Sequence, residues 1–287
     1  MTLTIEHFLE ADSNTFSYLV TDTTSNSCVV IDPVLNFDAA SGTTSTQTID
    51  AIVERIRLQQ SELRYILETH VHADHVTASA YLKQQLGGQV AIGERITQVQ
   101  QVFGELFHCD ERFGRDGRQF DLLLHDEQEL SFGAHTIKVW HTPGHTPACV
   151  SYLIGNNVFV GDTIFMPDFG TARCDFPGGD AHLLYQSIQR LFSLPGDTIL
   201  WMCHDYGTAQ RKELQWQTTV AAEEAFNIHV GGGKSADEFV AMRTARDATL
   251  SMPKLLLPSV QINMRAGHFP EPDSNGVSYL KLPLNQF

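Results

Sequence analysis

The sequence contains few basic residues and no long apolar run. Its 287 residues include 19 Lys and Arg against 34 Asp and Glu, which gives a formal net charge of -15. An acidic chain repels the phosphates of nucleic acids and of acidic lipid surfaces, so we expect neither as a partner. No apolar stretch approaches the roughly 20 residues that span a bilayer, and residues 1–6 lack the basic start of a secretory signal. We therefore expect a cytoplasmic protein.

Cysteine is also sparse, and its spacing shows no C-x-x-C pair. The five cysteines are Cys28, Cys109, Cys149, Cys174 and Cys203. This distribution is typical of a reducing compartment rather than of a domain stabilised by disulfides. We interpret them as core thiols, although Cys174 and Cys203 lie close in sequence to candidate site residues.

The remaining composition, 42% hydrophobic and 18% charged residues, is ordinary for a globular protein. The length favours one main domain, for which we predict residues 1–220, with residues 221–287 as an extension packed on it. In the extension, Ser235 and Glu238 have the spacing of a helix capping box, and Leu250 is the last apolar residue of the helix predicted after it.

Hydrophobic periodicity predicts alternating strands and helices along the chain. The predicted strands are 16–20, 28–32, 63–67, 136–140, 149–153, 158–160 and 198–202. The predicted helices lie around 49–56, 77–86 and 183–192. Strand pairs mixed with helices throughout favour an α/β fold in which two mixed β-sheets stack and helices flank both, an αββα sandwich. The segment 103–127 is expected to be a long loop.

Residues 70–75 crowd four potential metal ligands into six positions: His70, His72, Asp74 and His75. This density is hard to explain by core packing, because each buried polar group would need its own partner. A bound metal ion supplies that partner. In an extended segment His70 and His72 share one side, while Asp74 and His75 can turn toward a neighbouring ion.

Three later predicted strands each end beside a further potential ligand. His145 follows strand 136–140, Asp162 follows strand 158–160, and His204 follows strand 198–202. Loops at the strand ends of a rigid sheet are where functional sites are commonly built. The seven residues together could furnish two adjacent metal sites, with Asp162 placed between them.

The motifs T-H-V-H-A-D-H, H-T-P-G-H-T, V-G-D-T and C-H-D-Y occur in this order between Thr69 and Tyr206. In this respect the chain resembles the metallo-β-lactamase superfamily, and the resemblance implies its fold of two mixed sheets flanked by helices. The segments G-T-A-R-C-D-F from Gly170 and H-D-Y from His204 are similar to the persulfide dioxygenases, also called sulfur dioxygenases, of a bacterial branch. Cys174 departs from the threonine of the best-known animal and plant members.

The narrower resemblance implies an oxidoreductase with one non-haem Fe(II) per chain. Such an enzyme uses O2 to oxidise glutathione persulfide, releasing sulfite and glutathione. The resemblance puts the iron on His70, His145 and Asp162, two imidazoles and a carboxylate that leave coordination positions open. It makes four further residues either orienting neighbours of the ligands or a second metal site: His72, Asp74, His75 and His204.

The resemblance also implies two catalytic substrate contacts. Arg173 is the cation that matches the family, since a guanidinium can grip a glutathione carboxylate with two hydrogen bonds, and its structural alternative is an ion pair with Asp175. Tyr206 either donates its hydroxyl to the tripeptide or to the metal-bound sulfur, or packs under the site as an ordinary aromatic residue. A homodimer is expected from the same resemblance.

Two other functions stay open on the same residues. A glyoxalase II-like hydrolase would fill both sites with zinc and hydrolyse a glutathione thioester. A non-catalytic metal or sulfide sensor would keep the scaffold for binding alone. The segment around Arg173 favours the dioxygenase over the hydrolase, and the complete set of seven ligands favours an enzyme over a sensor. Asp162 stands where β-lactamases proper commonly have cysteine or another residue, which disfavours that activity.

Overall fold

The computed structural model describes residues 2–286, which form fifteen strands and seven helices. In chain order the strands are β1 (Leu3–Glu10), β2 (Thr15–Asp22), β3 (Ser27–Ile31), β4 (Val34–Asp38), β5 (Thr43–Ser45), β6 (Glu62–Leu67), β7 (Val76–Thr77), β8 (Gln89–Gly93), β9 (Leu122–Leu124), β10 (Glu129–Phe132), β11 (His135–His141), β12 (Val150–Ile154), β13 (Asn157–Phe159), β14 (Ile199–Trp201) and β15 (Gln217–Thr219). The helices are α1 (Gln47–Gln59), α2 (Ser79–Leu86), α3 (Ile96–Leu106), α4 (Ala181–Phe192), α5 (Val220–Phe226), α6 (Ala236–Asp247) and α7 (Leu256–Asn263).

The strands form two six-stranded mixed sheets and one small three-stranded sheet. The first sheet has the order β1-β2-β3-β6-β8-β9, the second β10-β11-β12-β13-β14-β15, and the small sheet β5-β4-β7. In the first sheet β1, β2 and β3 are antiparallel, whereas β3, β6, β8 and β9 are parallel neighbours. The second sheet is antiparallel except for the parallel pair β13 and β14.

Three apolar layers hold the sheets and helices together. Between the sheets, Phe16 and Tyr18 of β2 pack in one cluster with Tyr152 of β12. Outside the first sheet, α1 contributes four buried residues at helical spacing: Ile49, Ile52, Val53 and Ile56. Outside the second sheet, α4 contributes Leu184, Ile188 and Leu191, again one face of a helix. The layers therefore run helix, sheet, sheet, helix, and the predicted αββα sandwich is confirmed.

The carboxyl ends of five strands meet at one edge of the sandwich. Strands β3 and β6 end there in the first sheet, and β11, β13 and β14 run in a common direction in the second. Two backbone hydrogen bonds join the sheets at this edge: the Phe16 amide donates to the Cys203 carbonyl at 2.8 Å, and the Val150 amide donates to the Thr69 carbonyl at 2.9 Å. Segments that follow these strands are thereby held close together.

Several predicted elements differ from the observed ones. The two strands predicted to open the fold are β2 and β3, and β1 before them was not predicted. This edge strand is only partly buried along most of its length, so its apolar and polar residues show no clear alternation. The expected loop over 103–127 contains the end of α3 and the short edge strand β9. Helix α6 ends at Asp247, so the helix predicted to reach Leu250 stops before it, while the predicted capping box of Ser235 and Glu238 is present.

The residues after 220 contribute to both outer layers of the sandwich. Phe239 of α6 packs in the cluster outside the second sheet, whereas Leu256 and Val260 of α7 pack in the cluster outside the first. Helices α6 and α7 thus lie on opposite outer faces of the sandwich. Between residues 2 and 286, no helix is long and apolar enough to cross a bilayer.

Candidate metal centre

All seven potential ligands lie at the edge where the carboxyl ends of the strands meet. Four of them occupy the segment between β6 and β7, and His145, Asp162 and His204 follow β11, β13 and β14. Their ligand atoms fall into two groups, and within each group they lie within 4.8 Å of one another. The first group is His70, His145 and Asp162, and the second is His72, Asp74, His75 and His204.

The first group consists of two imidazoles around one carboxylate. Oδ2 of Asp162 lies 3.8 Å from Nε2 of His70 and 3.7 Å from Nε2 of His145. Nε2 of His70 and Oδ1 of Asp162 are buried and have no hydrogen-bond partner. Buried polar atoms that converge without partners are a chemical fit for a metal ion, which satisfies them all at once.

Neighbouring groups fix which imidazole nitrogen faces Asp162. The Thr69 hydroxyl donates to Oδ2 of Asp32 at 2.8 Å, so its oxygen accepts from Nδ1 of His70 at 3.0 Å. Nδ1 of His145 donates to the carbonyl of Arg173 at 2.8 Å. A proton on each Nδ1 leaves the Nε2 lone pairs for a metal. Burial and the imidazoles of His72 and His145 hold the pKa of His70 well below its usual value, which favours the neutral ligand form.

The second group is bridged to the first through Asp162. Nε2 of His204 lies 3.3 Å from Oδ1 of Asp162 and 3.2 Å from Oδ2 of Asp74. The two carboxylate oxygens of Asp162 therefore face different groups. The Thr15 hydroxyl lies 3.2 Å from Nδ1 of both His75 and His204, so the Nε2 atoms of both rings point into the group. Nε2 of His75 is buried without a partner, whereas Nε2 of His204 faces only the two carboxylates.

Two buried carboxylates hold the imidazole of His72. Its Nε2 lies 3.0 Å from Oδ1 of Asp32 and 3.6 Å from Oε2 of Glu68, and its Nδ1 is buried without a partner. Burial opposes a charge on His72, but the charges of Asp32 and Glu68 raise its pKa above the usual value. Glu68 is itself held by the hydroxyls of Thr77 and Ser79. In the neutral ring a proton on Nε2 faces Asp32 and the lone pair on Nδ1 is left for a metal ion, so metal binding here has to displace the proton that the two carboxylates favour.

Gly161 allows the loops that carry the ligands to approach each other. Its φ is +54°, and a Cβ at this position would lie 2.7 Å from both Cβ and Oγ1 of Thr69. Thr69 is the residue that orients His70, and Gly161 directly precedes Asp162. A side chain at Gly161 would separate the two ligands of the first group.

A cavity of about 400 Å³ opens onto both groups. Asp162 and His145 line it, and three aromatic residues that contact one another, Phe165, Phe169 and Tyr206, form one wall. This size and mixed lining suit a small molecule with an apolar part and charged groups. The Tyr206 ring is stacked on His204, with centroids 5.8 Å apart, and is 45% exposed, so it lies at the cavity as a substrate contact would require.

Arg173 also lines this cavity, but its guanidinium is already paired. Nε and Nη2 each donate to the Asp175 carboxylate at 2.6 Å, and Nη1 donates to the Ser251 carbonyl at 2.7 Å. This ion pair with Asp175 is the structural alternative to a substrate role for Arg173. The side chain braces the cavity wall, and the Arg173 carbonyl holds His145. Contact of Arg173 with substrate stays a prediction.

Two cations of the cavity were missed by sequence reasoning. Arg246 and Lys254 are exposed at its rim, and within residues 2–286 neither side chain has a hydrogen bond or an ion pair. Both lie in the C-terminal extension, far along the chain from every recognisable motif. The only signal in the sequence was their positive charge in a strongly acidic chain. They are available to an anionic ligand.

Comparisons with known proteins agree with this geometry. A sequence profile described as the metallo-beta-lactamase superfamily matches residues 11–204. The chain is 52% identical to a Burkholderia pseudomallei protein named probable metallo-hydrolase, over 99% of both chains. It is 45% identical to glyoxylase B2 of Dictyostelium discoideum, over 98% of this chain and 97% of that protein.

The chain is also similar to proteins named for sulfur chemistry. It is 29% identical to the human mitochondrial persulfide dioxygenase ETHE1, over 92% of this chain and 88% of that protein. The crystal structure of ETHE1 from Myxococcus xanthus superimposes with a TM-score of 0.73 at 29% identity and covers 93% of this chain and 100% of that one.

Proposed function

The chain belongs to the metallo-beta-lactamase superfamily, and from that premise we propose that it is a persulfide dioxygenase with a mononuclear non-haem Fe(II) site. The substrate is glutathione persulfide. The sulfur–sulfur bond breaks, and the terminal sulfur is oxidised to sulfite while O2 is reduced. One persulfide, one O2 and one water give one glutathione, one sulfite and two protons.

The observation that carries the proposal is the separate group of His70, His145 and Asp162. Two imidazoles and one carboxylate match the ligand set of non-haem iron oxygenases, and the buried Nε2 of His70, which has no hydrogen-bond partner, fits a bound cation. Fe(II) held by these three residues would supply open coordination positions and the redox chemistry that O2 requires. The residues themselves supply two neutral imidazoles, each oriented through Nδ1.

The cavity supplies the remaining requirements of a persulfide. Phe165 and Phe169 give the cavity an apolar wall against which the apolar part of the substrate can pack. Arg246 and Lys254 lie at the rim, where they can pair with the carboxylates of glutathione and so direct its sulfur inward. We propose Tyr206 as a further contact, since its ring forms part of the wall. The similarity to the two ETHE1 proteins supports the same assignment.

A second candidate is favoured by the second group of ligands. Oδ1 of Asp162 lies 3.3 Å from His204, so one carboxylate can serve two ions, as in a dinuclear zinc hydrolase. The names of the Burkholderia pseudomallei and Dictyostelium discoideum relatives are those of a hydrolase and a glyoxylase. On this alternative the cavity would take a glutathione thioester.

One experiment separates the two functions. The protein is purified without oxygen and its metals are counted. It is then offered glutathione persulfide in aerated buffer and, in parallel, a glutathione thioester. About one iron per chain and sulfite formed only from the persulfide support the dioxygenase. About two zinc ions per chain and thioester hydrolysis without sulfite would replace it by the hydrolase.

A further inference from the structure

One buried side chain of the C-terminal extension bonds directly to the backbone of the segment 70–77. Asn263, at the end of α7, is 3% exposed. Its Nδ2 donates to the carbonyl of His72 at 2.9 Å and to the carbonyl of His75 at 2.8 Å. Its Oδ1 accepts from the amide of Thr77 at 2.8 Å. One carboxamide therefore pairs three backbone groups of the segment that carries four of the seven ligands.

The partners of Asn263 fix the orientation of its carboxamide. Two carbonyls require donors and one amide requires an acceptor, so a flipped side chain would set oxygen against oxygen. Aspartate keeps the shape and the acceptor but loses both donors, and alanine loses all three bonds. Backbone groups buried without partners are costly, so the segment would rearrange without this side chain. The backbone path of residues 72–77 therefore depends on the side-chain carboxamide of Asn263.

A chain of contacts links the end of α7 to the imidazole of His72. The turn after α7 packs on the start of α2, since a Cβ at Gly267 would lie 3.0 Å from the Ala80 amide nitrogen and 3.2 Å from the Thr77 carbonyl oxygen. The Thr77 hydroxyl donates to Glu68, whose other oxygen lies 3.6 Å from Nε2 of His72. Movement at the end of α7 would therefore be transmitted to the ligands.

We propose that Asn263 is a positioning residue of the metal centre. Its carboxamide bonds to the carbonyls of both His72 and His75 and so fixes the backbone between them. The backbone in turn sets the orientation of the two imidazole rings, whose centroids lie 4.1 Å apart. Asn263 lies outside the residues 11–204 that match the superfamily profile. His72 and His75 belong to the second group, but their segment begins with His70 of the first group, and the ring centroids of His70 and His72 lie 4.0 Å apart. The inference therefore rests on the metal centre of the proposed function and not on the reaction carried out there.

The test uses the full-length protein, stripped of metal and titrated with Co(II). The variants are Asn263→Ala, Asn263→Asp and, as a matched control one turn earlier on α7, Ser259→Ala, which removes a buried hydroxyl that has no partner. We expect both Asn263 variants to bind Co(II) about 10- to 100-fold more weakly and to shift its visible absorption bands, which report the arrangement of the ligands. Ser259→Ala should match the wild type in both.

Hydrogen–deuterium exchange of the metal-free proteins supplies a second reading. Asn263→Ala should accelerate exchange in residues 72–77 and leave the central strands of both sheets protected. Wild-type affinity and absorption bands in a folded Asn263→Asp protein would overturn the proposal, as would an equal loss in Ser259→Ala. Should the wild type bind no Co(II), the metal centre itself fails, and unchanged exchange in residues 72–77 would then overturn the role of Asn263 separately.

Discussion

Both imidazoles of the first group depend on a residue outside that group. His70 is oriented by Thr69, which is itself held by Asp32, and His145 is oriented by the Arg173 carbonyl. Such outer contacts set the tautomer and the direction of the ligand nitrogen, and they commonly matter nearly as much as the ligands. The site is therefore sensitive to single residues that would never touch the metal.

Replacing either imidazole of the first group should remove the metal. We expect His70→Ala and His145→Ala to bind iron at least about 10-fold more weakly than the wild type, because each variant loses one of three ligands. Metal analysis after dialysis against a weak chelator measures this. His125→Ala is the matched control, since that side chain is 67% exposed and paired with Glu94. Full iron content in His70→Ala would contradict the assignment.

The unpaired cations at the rim should act on substrate binding alone. Arg246→Ala and Lys254→Ala should each raise KM for glutathione persulfide about 10-fold and leave kcat unchanged, since a hydrogen bond to a charged group contributes about 1.5–3 kcal/mol. Lys212→Ala, an exposed lysine that does not line the cavity, is the control. A persulfide of a small neutral thiol should be insensitive to both changes. An equal rise in KM with that substrate would contradict this role.

At the scale of elements, α6 clamps the segment that orients His145. Nη1 of Arg243 donates to the Thr171 carbonyl at 3.0 Å, and Oδ2 of Asp247 accepts from the Cys174 amide at 2.9 Å. Nε of Arg243 also donates to Asp247 at 2.8 Å, so the two side chains form a buried pair. The Arg173 carbonyl lies between the two clamped points.

Breaking this pair should destabilise the protein strongly. Arg243→Met leaves Asp247 buried without its cation, and we expect it to lower the free energy of unfolding by about 3–5 kcal/mol. Urea denaturation measures the change. Ser235→Ala, which removes the cap of the same helix, should cost only about 1 kcal/mol and leave metal content unchanged. Equal losses in the two variants would show that the pair contributes no more than the cap.

At the scale of the whole molecule, one buried acid makes stability depend on pH. Glu223 is fully buried, and burial raises its pKa from 4.5 to about 8. Because the folded pKa lies above the unfolded one, the folded chain holds this proton more tightly. The stabilisation is complete below pH 4.5 and is lost as the pH rises toward 8.

The matching variant is Glu223→Gln. The free energy of unfolding of the wild type, relative to that of the variant, should fall between pH 5 and 8 by up to about 1.4 kcal/mol per pH unit. Chemical denaturation at several pH values measures the difference. Glu224→Gln, at the exposed neighbouring position, should follow the wild type. A difference that is constant over this range would show that Glu223 is ionised in the folded protein.

The layers and the clustered ligands could be predicted from the sequence because both follow from patterns of residues close together in the chain. His70 and His145 lie in contiguous motifs, and the buried face of α4 is marked by apolar residues at helical spacing. Thr15, Glu68 and Asn263 could not be found this way. Asn263 meets His72 across 191 residues, so its contact exists only once α7 has packed on the sandwich. The half-buried edge strand β1 was missed because only its pairing with β2 defines it.

The distribution of charge also matters only at the scale of the whole molecule. A chain with a net charge of -15 repels an anionic substrate at long range. Arg246 and Lys254 reverse that sign locally at the mouth of the cavity. Raising the ionic strength screens both the repulsion by the acidic chain and the attraction by these two cations. Because the two contributions oppose each other, we expect a smaller change in KM for glutathione persulfide than at a site where all nearby charges have the same sign.

The most direct test of the central claim is an oxygen-electrode trace recorded when glutathione persulfide is added to the iron-loaded protein. We expect immediate oxygen uptake, with one O2 consumed for each sulfite formed and no uptake on adding glutathione alone. A flat trace from a fully iron-loaded protein would contradict it.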